Sequence, residues 1–229
     1  MSSKCTPLTF SKLSFGYDSQ RPILQGLNGA FGEKGIHLII GKNGVGKSTM
    51  LRVLAGLMEP LEGVVKIGDQ PIQCMSQVER AQQISFVHSL PPKTSELSVA
   101  EVLALVSEDE EKNREALRSF GEVDWWNQSL HTLSDGQAQR VMFTRVMLQN
   151  TEWTILDEPT AFLDVPSKMA FWKELGIASV NGKGFIIATH DYAELSEHVN
   201  LASVHLIDES HWMEIDLASN PRLWHQQMG

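Results

Sequence analysis

An α/β fold is what this 229-residue sequence predicts, on three observations. A short apolar run at Ile36–Ile40 opens into a glycine-rich loop and then a helical pattern. Two further apolar runs, Trp153–Leu156 and Phe185–Ala188, enclose a helical stretch at Ser167–Val180. Between these two blocks lies a segment of helical texture, Ser98–Asn150. Strand, loop and helix in alternation describe βαβ construction, and the middle segment reads as an insert in it.

Taken in order, Leu8–Phe15 alternates apolar and polar residues, and Ile23–Phe31 does so less cleanly after Arg21-Pro22, which predicts antiparallel strands near the start. Met50, Val53, Leu54 and Leu57 follow the glycine-rich loop at helical spacing until Gly56 and Pro60 stop the helix. Val64–Ile67 and Ile84–Val87 read as further strands, and Pro91-Pro92 breaks the chain. Ser98-Val99-Ala100-Glu101 is a capping box, after which Val102, Leu103, Leu105 and Val106 carry an apolar face. Val204–Ile207 adds a late strand. There is no internal repeat. The expected organisation is one domain over 1–229, with 1–89 and 151–229 forming a core that includes the antiparallel β subdomain, and 90–150 forming a helical subdomain.

Composition narrows the function. With 42% hydrophobic and 21% charged residues the chain can bury one substantial core. A formal charge of −9, with a pI near 5.3 and no basic stripe, argues against nucleic acid as a partner. Cys5 and Cys74 lack metal-like spacing and fit a reducing cytosol as structural residues. The N-terminus carries no secretory pattern, and the apolar runs are far shorter than the roughly 18 residues a membrane span needs. Any membrane role is therefore expected to come from a partner. The acidic run Glu108–Glu111 reads as a solvated helix face.

Gly41-Lys42-Asn43-Gly44-Val45-Gly46-Lys47-Ser48-Thr49 matches the full GxxxxGKS pattern, in the strand–loop–helix setting that such a loop requires. Its glycines let backbone amides turn inward around a β-phosphate, Lys47 adds positive charge, and Ser48 can ligate Mg²⁺. Asp157 and Glu158 end an apolar strand, where adjacent carboxylates are costly unless a cation and a reacting water use them. In phosphoryl transfer one carboxylate holds the metal and another polarises the attacking water. The fold class is thus an α/β P-loop NTPase (RecA-like) core with an N-terminal antiparallel β subdomain and an inserted α-helical subdomain.

Leu133-Ser134-Asp135-Gly136-Gln137 lies about twenty residues before the acidic pair and opens a helix, whose N-terminal amides and partial positive charge suit a γ-phosphate. This order of motifs resembles the ATP-binding cassette (ABC) ATPases almost end to end. The resemblance implies hydrolysis of ATP with Mg²⁺, Asp157 on the metal, Glu158 as the base, His190 as the switch histidine on the γ-phosphate, and Tyr17 stacked on adenine. It also implies a head-to-tail homodimer in which Leu133–Gln137 serve the nucleotide of the opposite copy and Asp164 couples the two sites. Transmembrane permease subunits and, indirectly, a periplasmic or extracytoplasmic substrate-binding protein would be the partners. The chain would then be cytoplasmic and peripheral on the inner face of the membrane. Ala161-Phe162-Leu163-Asp164-Val165-Pro166 and the short single-domain form look most like the ATPases of iron-siderophore, haem or cobalamin importers. A different importer or an exporter is the alternative within the family. Outside transport stand a DNA-repair or translation module, though no coiled coil, zinc insert or second cassette is present, and a nucleotide-gated binder that barely hydrolyses.

Two positions depart from the family's usual pattern. Where a glutamine usually follows the strand Ile84–Val87, the sequence has Ser89, which can reach the metal only through a water. His88 beside it reads as a strand-end residue that could compensate. Asp135 stands where glycine is commonest. A carboxylate about 4 Å from one phosphate charge costs roughly 4 kcal/mol at an effective dielectric near 20, against a helix-dipole gain of about 0.3–1 kcal/mol, so its side chain is expected to turn away. Trp125 and Trp126, read as adjacent on one helix, cannot easily both face inward, which leaves core packing with partial exposure or, as the alternative, a partner contact by one.

Overall fold

The computed structural model describes residues 6–32, 34–92, 94–120, 123–208 and 211–216. Cys5 lies outside them. Ten strands and seven α-helices are described, in two sheets. The first is antiparallel, in the order β2-β1-β4-β5, from β1 (Leu8–Phe15), β2 (Leu24–Phe31), β4 (Glu62–Ile67) and β5 (Gln70–Pro71). The second has the order β10-β9-β3-β8-β7-β6, from β3 (Ile36–Ile40), β6 (Ile84–Val87), β7 (Trp153–Asp157), β8 (Gly184–Ala188), β9 (Leu201–Ile207) and β10 (Trp212–Ile215). All its pairings are parallel except β9 with β10. Strands β3, β7 and β8 are buried at every residue, as apolar runs in a sheet covered on both faces should be.

Helix α1 (Lys47–Leu54) leaves the glycine-rich loop and packs with the inter-sheet core. Helices α3 (Val99–Ala104), α4 (Glu110–Phe120) and α5 (Asp135–Leu148) fill the stretch between β6 and β7. They share a second core with α6 (Val165–Val180) and the other face of the parallel sheet. Two short helices, α2 (Gln77–Gln83) and α7 (Tyr192–His198), complete the set. Neither was read from the sequence, nor were β5 and β10, because two to seven residues carry too little periodicity.

Three expectations need correction. Leu57 is 56% exposed, because α1 ends at Leu54 and Gly56 turns the chain in the left-handed region (φ 66°), taking Leu57 off the helical face. Leu105 is 66% exposed for the same kind of reason, since α3 stops at Ala104. Trp125 and Trp126 are both buried, so neither is a partner contact. They do not share a helix: Trp125 closes a 3₁₀ turn over Val123–Trp125, and the turn lets both rings enter the core. Arg140 covers the Trp125 ring at 4.6 Å and Arg114 the Trp126 ring at 4.0 Å.

Between the two sheets His37 and His205 are fully buried and bridged by Ser203, whose Oγ lies 2.7 Å from His37 Nδ1 and 2.7 Å from His205 Nε2. Phe31 meets both rings edge-on at 5.2 Å, and Trp212 stacks on His205 at 4.6 Å. Burial, assisted by His37, pushes His205 down to about 4 from an ordinary 6.5. The folded state therefore holds this ring neutral while the unfolded chain takes up a proton near pH 6.5. The stabilisation is complete above that pH and is lost as pH falls toward 4. Between pH 7 and 5 the loss is about 2 kcal/mol, or a Tm lower by roughly 4–8 °C. Calorimetry of the parent and His205→Asn should show the steeper acid slope in the parent, and equal slopes would rule this origin out.

Candidate nucleotide site

Strand register gathers the chemistry at one edge of the parallel sheet. β7 pairs with β8 so that Asp157 faces Ala188, and Glu158 N–H donates to the Ala188 carbonyl at 2.8 Å. β3 pairs with β8 so that Ile39 faces Ala188, which brings the loop after β3 to the same edge. Parallel strands alternate with helices in one direction, so all three turns emerge together at the carboxyl ends, where open α/β sheets bind ligands.

Around that edge is a cavity of about 370 Å³ lined by Tyr17, Asn43, Gly44, Gly46, Lys47, Ser48, Thr49, Glu158 and His190, with Ile23 behind them. A larger groove of about 690 Å³ between α6 and α7 opens beside Ile36 and Asn200, at the opposite end of the sheet. Its lining offers no phosphate loop and no paired acid and base, so chemistry rather than volume selects the smaller cavity.

The loop itself is shaped for close approach. Gly46 has φ 108°, and a Cβ there would lie 2.6 Å from Ile23 Cγ2, so only glycine fits. Lys47 is buried and folds back over its own loop, donating from Nζ to the Gly41 carbonyl at 2.7 Å and the Lys42 carbonyl at 3.1 Å. Its Nζ is also 3.5 Å from His190 Nε2. Burial pushes the Lys47 ammonium down, opposed by the charges of Glu158 and Asp157.

Ser48 Oγ donates to Asp157 Oδ1 at 2.9 Å, which joins the first turn of α1 to the end of β7. Burial raises the Asp157 carboxyl, opposed by this hydrogen bond and by Arg52, His88 and Lys47. Glu158 sits in the left-handed region (φ 45°), a strained conformation for a residue with a long side chain. Its Oε2 accepts from His190 N–H at 3.2 Å, and its Oε1 lies 3.3 Å from His190 Nε2 without hydrogen-bond alignment. Burial raises Glu158 too, opposed first by His190. A hydroxyl and a carboxylate on one point are the hard oxygen donors that suit Mg²⁺. Among the described residues no three His, Cys, Asp or Glu side chains cluster as a protein-only metal cage would require, so a cation here would also need ligands from a phosphate.

Tyr17 is 74% exposed, with its hydroxyl 3.4 Å from Thr49 Oγ1. Its ring therefore does not pack into the core and is presented at the cavity mouth. Ser89 and the segment Leu133–Gln137 do not line the cavity, and neither does Asp164. Ser134 caps α5 and forms a capping box with Gln137, Ser134 Oγ accepting from Gln137 N–H at 3.2 Å and Gln137 Oε1 from Ser134 N–H at 2.8 Å. The S-x-x-Q spacing carried this signal, which was read at Ser98 and overlooked here. Asp164 caps α6 by accepting from Ser167 N–H at 3.0 Å, and hydrogen bonding from the Ser167 side chain together with this backbone bond holds its carboxyl below the usual range. Sequence reasoning also missed Thr160, Lys168 and Asp191, joined beside the site. Asp191 directly follows His190, so its position was the available signal.

Fold and loop together define a P-loop nucleotide-binding protein of mixed α/β construction. The chain belongs to the ABC transporter family, whose model matches residues 24–161. It is 30% identical over 199 residues to the achromobactin transport ATP-binding protein CbrD of Dickeya dadantii, covering 81% of this chain and 74% of that one. It is 29% identical over 199 residues to the energy-coupling factor transporter ATP-binding protein EcfA1 of Thermotoga maritima, covering 83% and 75%. The fold matches a dimeric bacterial ABC transporter cassette with a TM-score of 0.81 at 24% identity, over 93% of this chain and 99% of that one. The chain is accordingly an ABC ATPase subunit, hydrolysing ATP in a reaction coupled to transport.

Removing the ring of Tyr17 tests its placement. Tyr17→Ala should weaken ATP binding by about 1–3 kcal/mol, while Tyr17→Phe stays near the parent. Fluorescence titration with a non-hydrolysable analogue reads this, and equal affinity for all three chains would remove Tyr17 from the site.

Proposed function

We propose that two copies of this chain bind ATP and Mg²⁺ head to tail and power an importer whose cargo is an iron-siderophore, haem or cobalamin. The observation that carries the reading is the convergence of Lys47, Ser48, Glu158 and His190 on one cavity, with Asp157 bonded to Ser48 just behind it. In this reading Gly41–Thr49 wrap the phosphates through backbone amides. Ser48 and Asp157 hold Mg²⁺, with Ser89 reaching it only through water. When bound, the cation neutralises charge on the transferring phosphoryl group. Glu158 polarises the attacking water and takes its proton at a carboxylate oxygen. His190 orients Glu158 through its N–H and faces the γ-phosphate with its ring. Tyr17 stacks on adenine.

The segment 90–150 would present Ser134–Gln137 to the nucleotide of the partner copy. The capping box ties the Ser134 and Gln137 side chains to each other's backbone N–H, so a phosphate at the helix tip would be met by the backbone between them and the partial positive charge of the helix end, as the Asp135 expectation requires. Asp164 would meet the partner copy as well. Exposed Leu90 and Leu105 in the same stretch offer apolar contact to permease subunits. No described helix is long and apolar enough to cross a membrane, which fits a peripheral subunit on its cytoplasmic face.

Likeness to a protein named for achromobactin transport supports the siderophore class. Likeness at nearly equal identity to an energy-coupling factor transporter ATP-binding protein favours, as a second reading, a transporter of the energy-coupling factor class. Co-purification with the permease, followed by transport of labelled ferric siderophore against cobalamin in vesicles, separates the cargo classes.

Glu158→Gln tests the chemistry. Its kcat should fall by about 10²–10⁴, the usual worth of a positioned base, with ATP affinity kept. Size-exclusion chromatography should show the variant as a dimer in ATP and a monomer without it. Hydrolysis at the parent rate, or a monomer in saturating ATP, would sink the corresponding half of the reading.

A further inference from the structure

Glu158 and the head of α6 stand at the two ends of the β7–α6 connection and His190 on the β8–α7 connection, and one small cluster ties them together. Asp191 follows His190, and its Oδ2 accepts from Thr160 Oγ1 at 2.7 Å and from Lys168 Nζ at 2.6 Å. Its backbone N–H donates to Thr189 Oγ1 at 3.0 Å, which fixes where the carboxylate starts from. Thr160 is buried and lies two residues beyond Glu158. Lys168 lies one turn beyond Asp164, and its backbone N–H donates to the Asp164 carbonyl at 2.9 Å. A single carboxylate oxygen thus gathers the loop after β7, the loop after β8 and the first turn of α6.

The setting makes this more than a surface ion pair. Lys168 and Asp191 side chains are only 20% and 30% exposed, and a charge-assisted pair that also accepts a buried hydroxyl is shorter and stiffer than an isolated pair in solvent. None of Thr160, Lys168 and Asp191 lines the nucleotide cavity, so their influence on ATP must pass through Glu158, His190 or Asp164. Loss of the Lys168 ammonium would leave Asp191 bonded to Thr160 but would release α6. The two loops would stay joined, and the helix head bearing Asp164 would no longer follow them.

We propose that Lys168 and Asp191 are positioning residues that lock the Asp164 end of α6 to the His190 loop, so that contact with a second copy and the alignment of Glu158 with His190 are set as one event. This rests on the roles given above to Glu158, His190 and Asp164. The assignment predicts a defect in turnover rather than in nucleotide binding, because the phosphate loop is untouched.

The experiment uses the full chain with Mg-ATP and compares Lys168→Met, Asp191→Asn, the double variant and Lys168→Arg. Each of the first two should lower kcat by about tenfold, while the ATP Kd, read with a fluorescent analogue, moves by less than about twofold. The double variant should lose no more than either single one, as residues acting through one bond do. Lys168→Arg keeps the cation and should return kcat to within about threefold of the parent. Parent-like kcat in Lys168→Met with a lowered Tm would mean a merely structural bridge and overturn the proposal. So would additive losses, a Kd that shifts as far as kcat, or an arginine variant no better than methionine. Asp191→Asn is nearly isosteric and keeps the test alive should Lys168→Met fold poorly. Lys47→Ala, run in parallel, separates the two levels. Its continued hydrolysis would remove the phosphate-site reading itself, whereas an inactive Lys47→Ala beside a fully active Lys168→Met removes only the lock.

Discussion

Two carboxylates and one ammonium buried at the carboxyl edge of a parallel sheet form the constraint on which the rest of this molecule depends. Burial drives Asp157 and Glu158 toward protonation and Lys47 toward deprotonation, while their mutual attraction opposes it. The protein alone balances the set poorly. Arg52 adds positive charge near Asp157, but burial works against a charge on His88, and Lys47 is partly spent on its own loop carbonyls. A hard divalent cation carried on a polyphosphate would correct both deficits at once, giving the carboxylates a counter-charge and the ammonium an anion.

The sheet register makes the arrangement rigid. Pairing Asp157 with Ala188 and Ile39 with the same residue fixes three loops relative to one another before any side chain is considered. The left-handed backbone at Glu158 then turns its side chain away from the line of the strand and toward His190, at a conformational cost the Glu158–Ala188 and Glu158–His190 bonds offset. Rigidity in the backbone leaves the side chains free to respond to charge.

Most of the fold was legible because strong signals coincided. Ile36–Ile40, Trp153–Leu156 and Phe185–Ala188 are apolar except at His37 and Thr154, and a strand buried on both faces requires such a run. The glycine-rich loop was legible because its residue types answer to one geometry. What escaped was local termination and tertiary choice. The end of α1 at Leu54 and of α3 at Ala104 placed Leu57 and Leu105 in solvent, although periodicity continued past both helices. Trp125 and Trp126 entered the core together because a 3₁₀ turn, invisible to a 3.6-residue period, replaced the helix assumed for them. The His37–Ser203–His205 bridge joins residues 166 positions apart, and no local pattern announces such a pair. Of the site, the motif residues were readable one by one. Their joining through Thr160, Lys168 and Asp191 was not, since hydrogen bonds between two connections distant in sequence leave no spacing behind.

The segment Leu133–Gln137 illustrates how one short stretch meets two demands. Gly136 packs so closely on the loop after β7 that a Cβ would lie 2.6 Å from the Phe162 carbonyl oxygen, so the tip of α5 and the approach to α6 are pressed together. Ser134 and Gln137 meanwhile close the capping box, which leaves the helix end stable without any ligand. A helix tip that is self-sufficient, solvent-exposed at Ser134 and remote from the lining of its own chain's cavity has unused electrostatic capacity. On the head-to-tail reading that capacity faces the partner's phosphates. The contact between Gly136 and Phe162 then means that whatever moves the tip also moves the loop leading to Asp164. The dimer interface and the acidic end of β7 would thus be joined through packed backbone, a link stiffer than any side chain could supply.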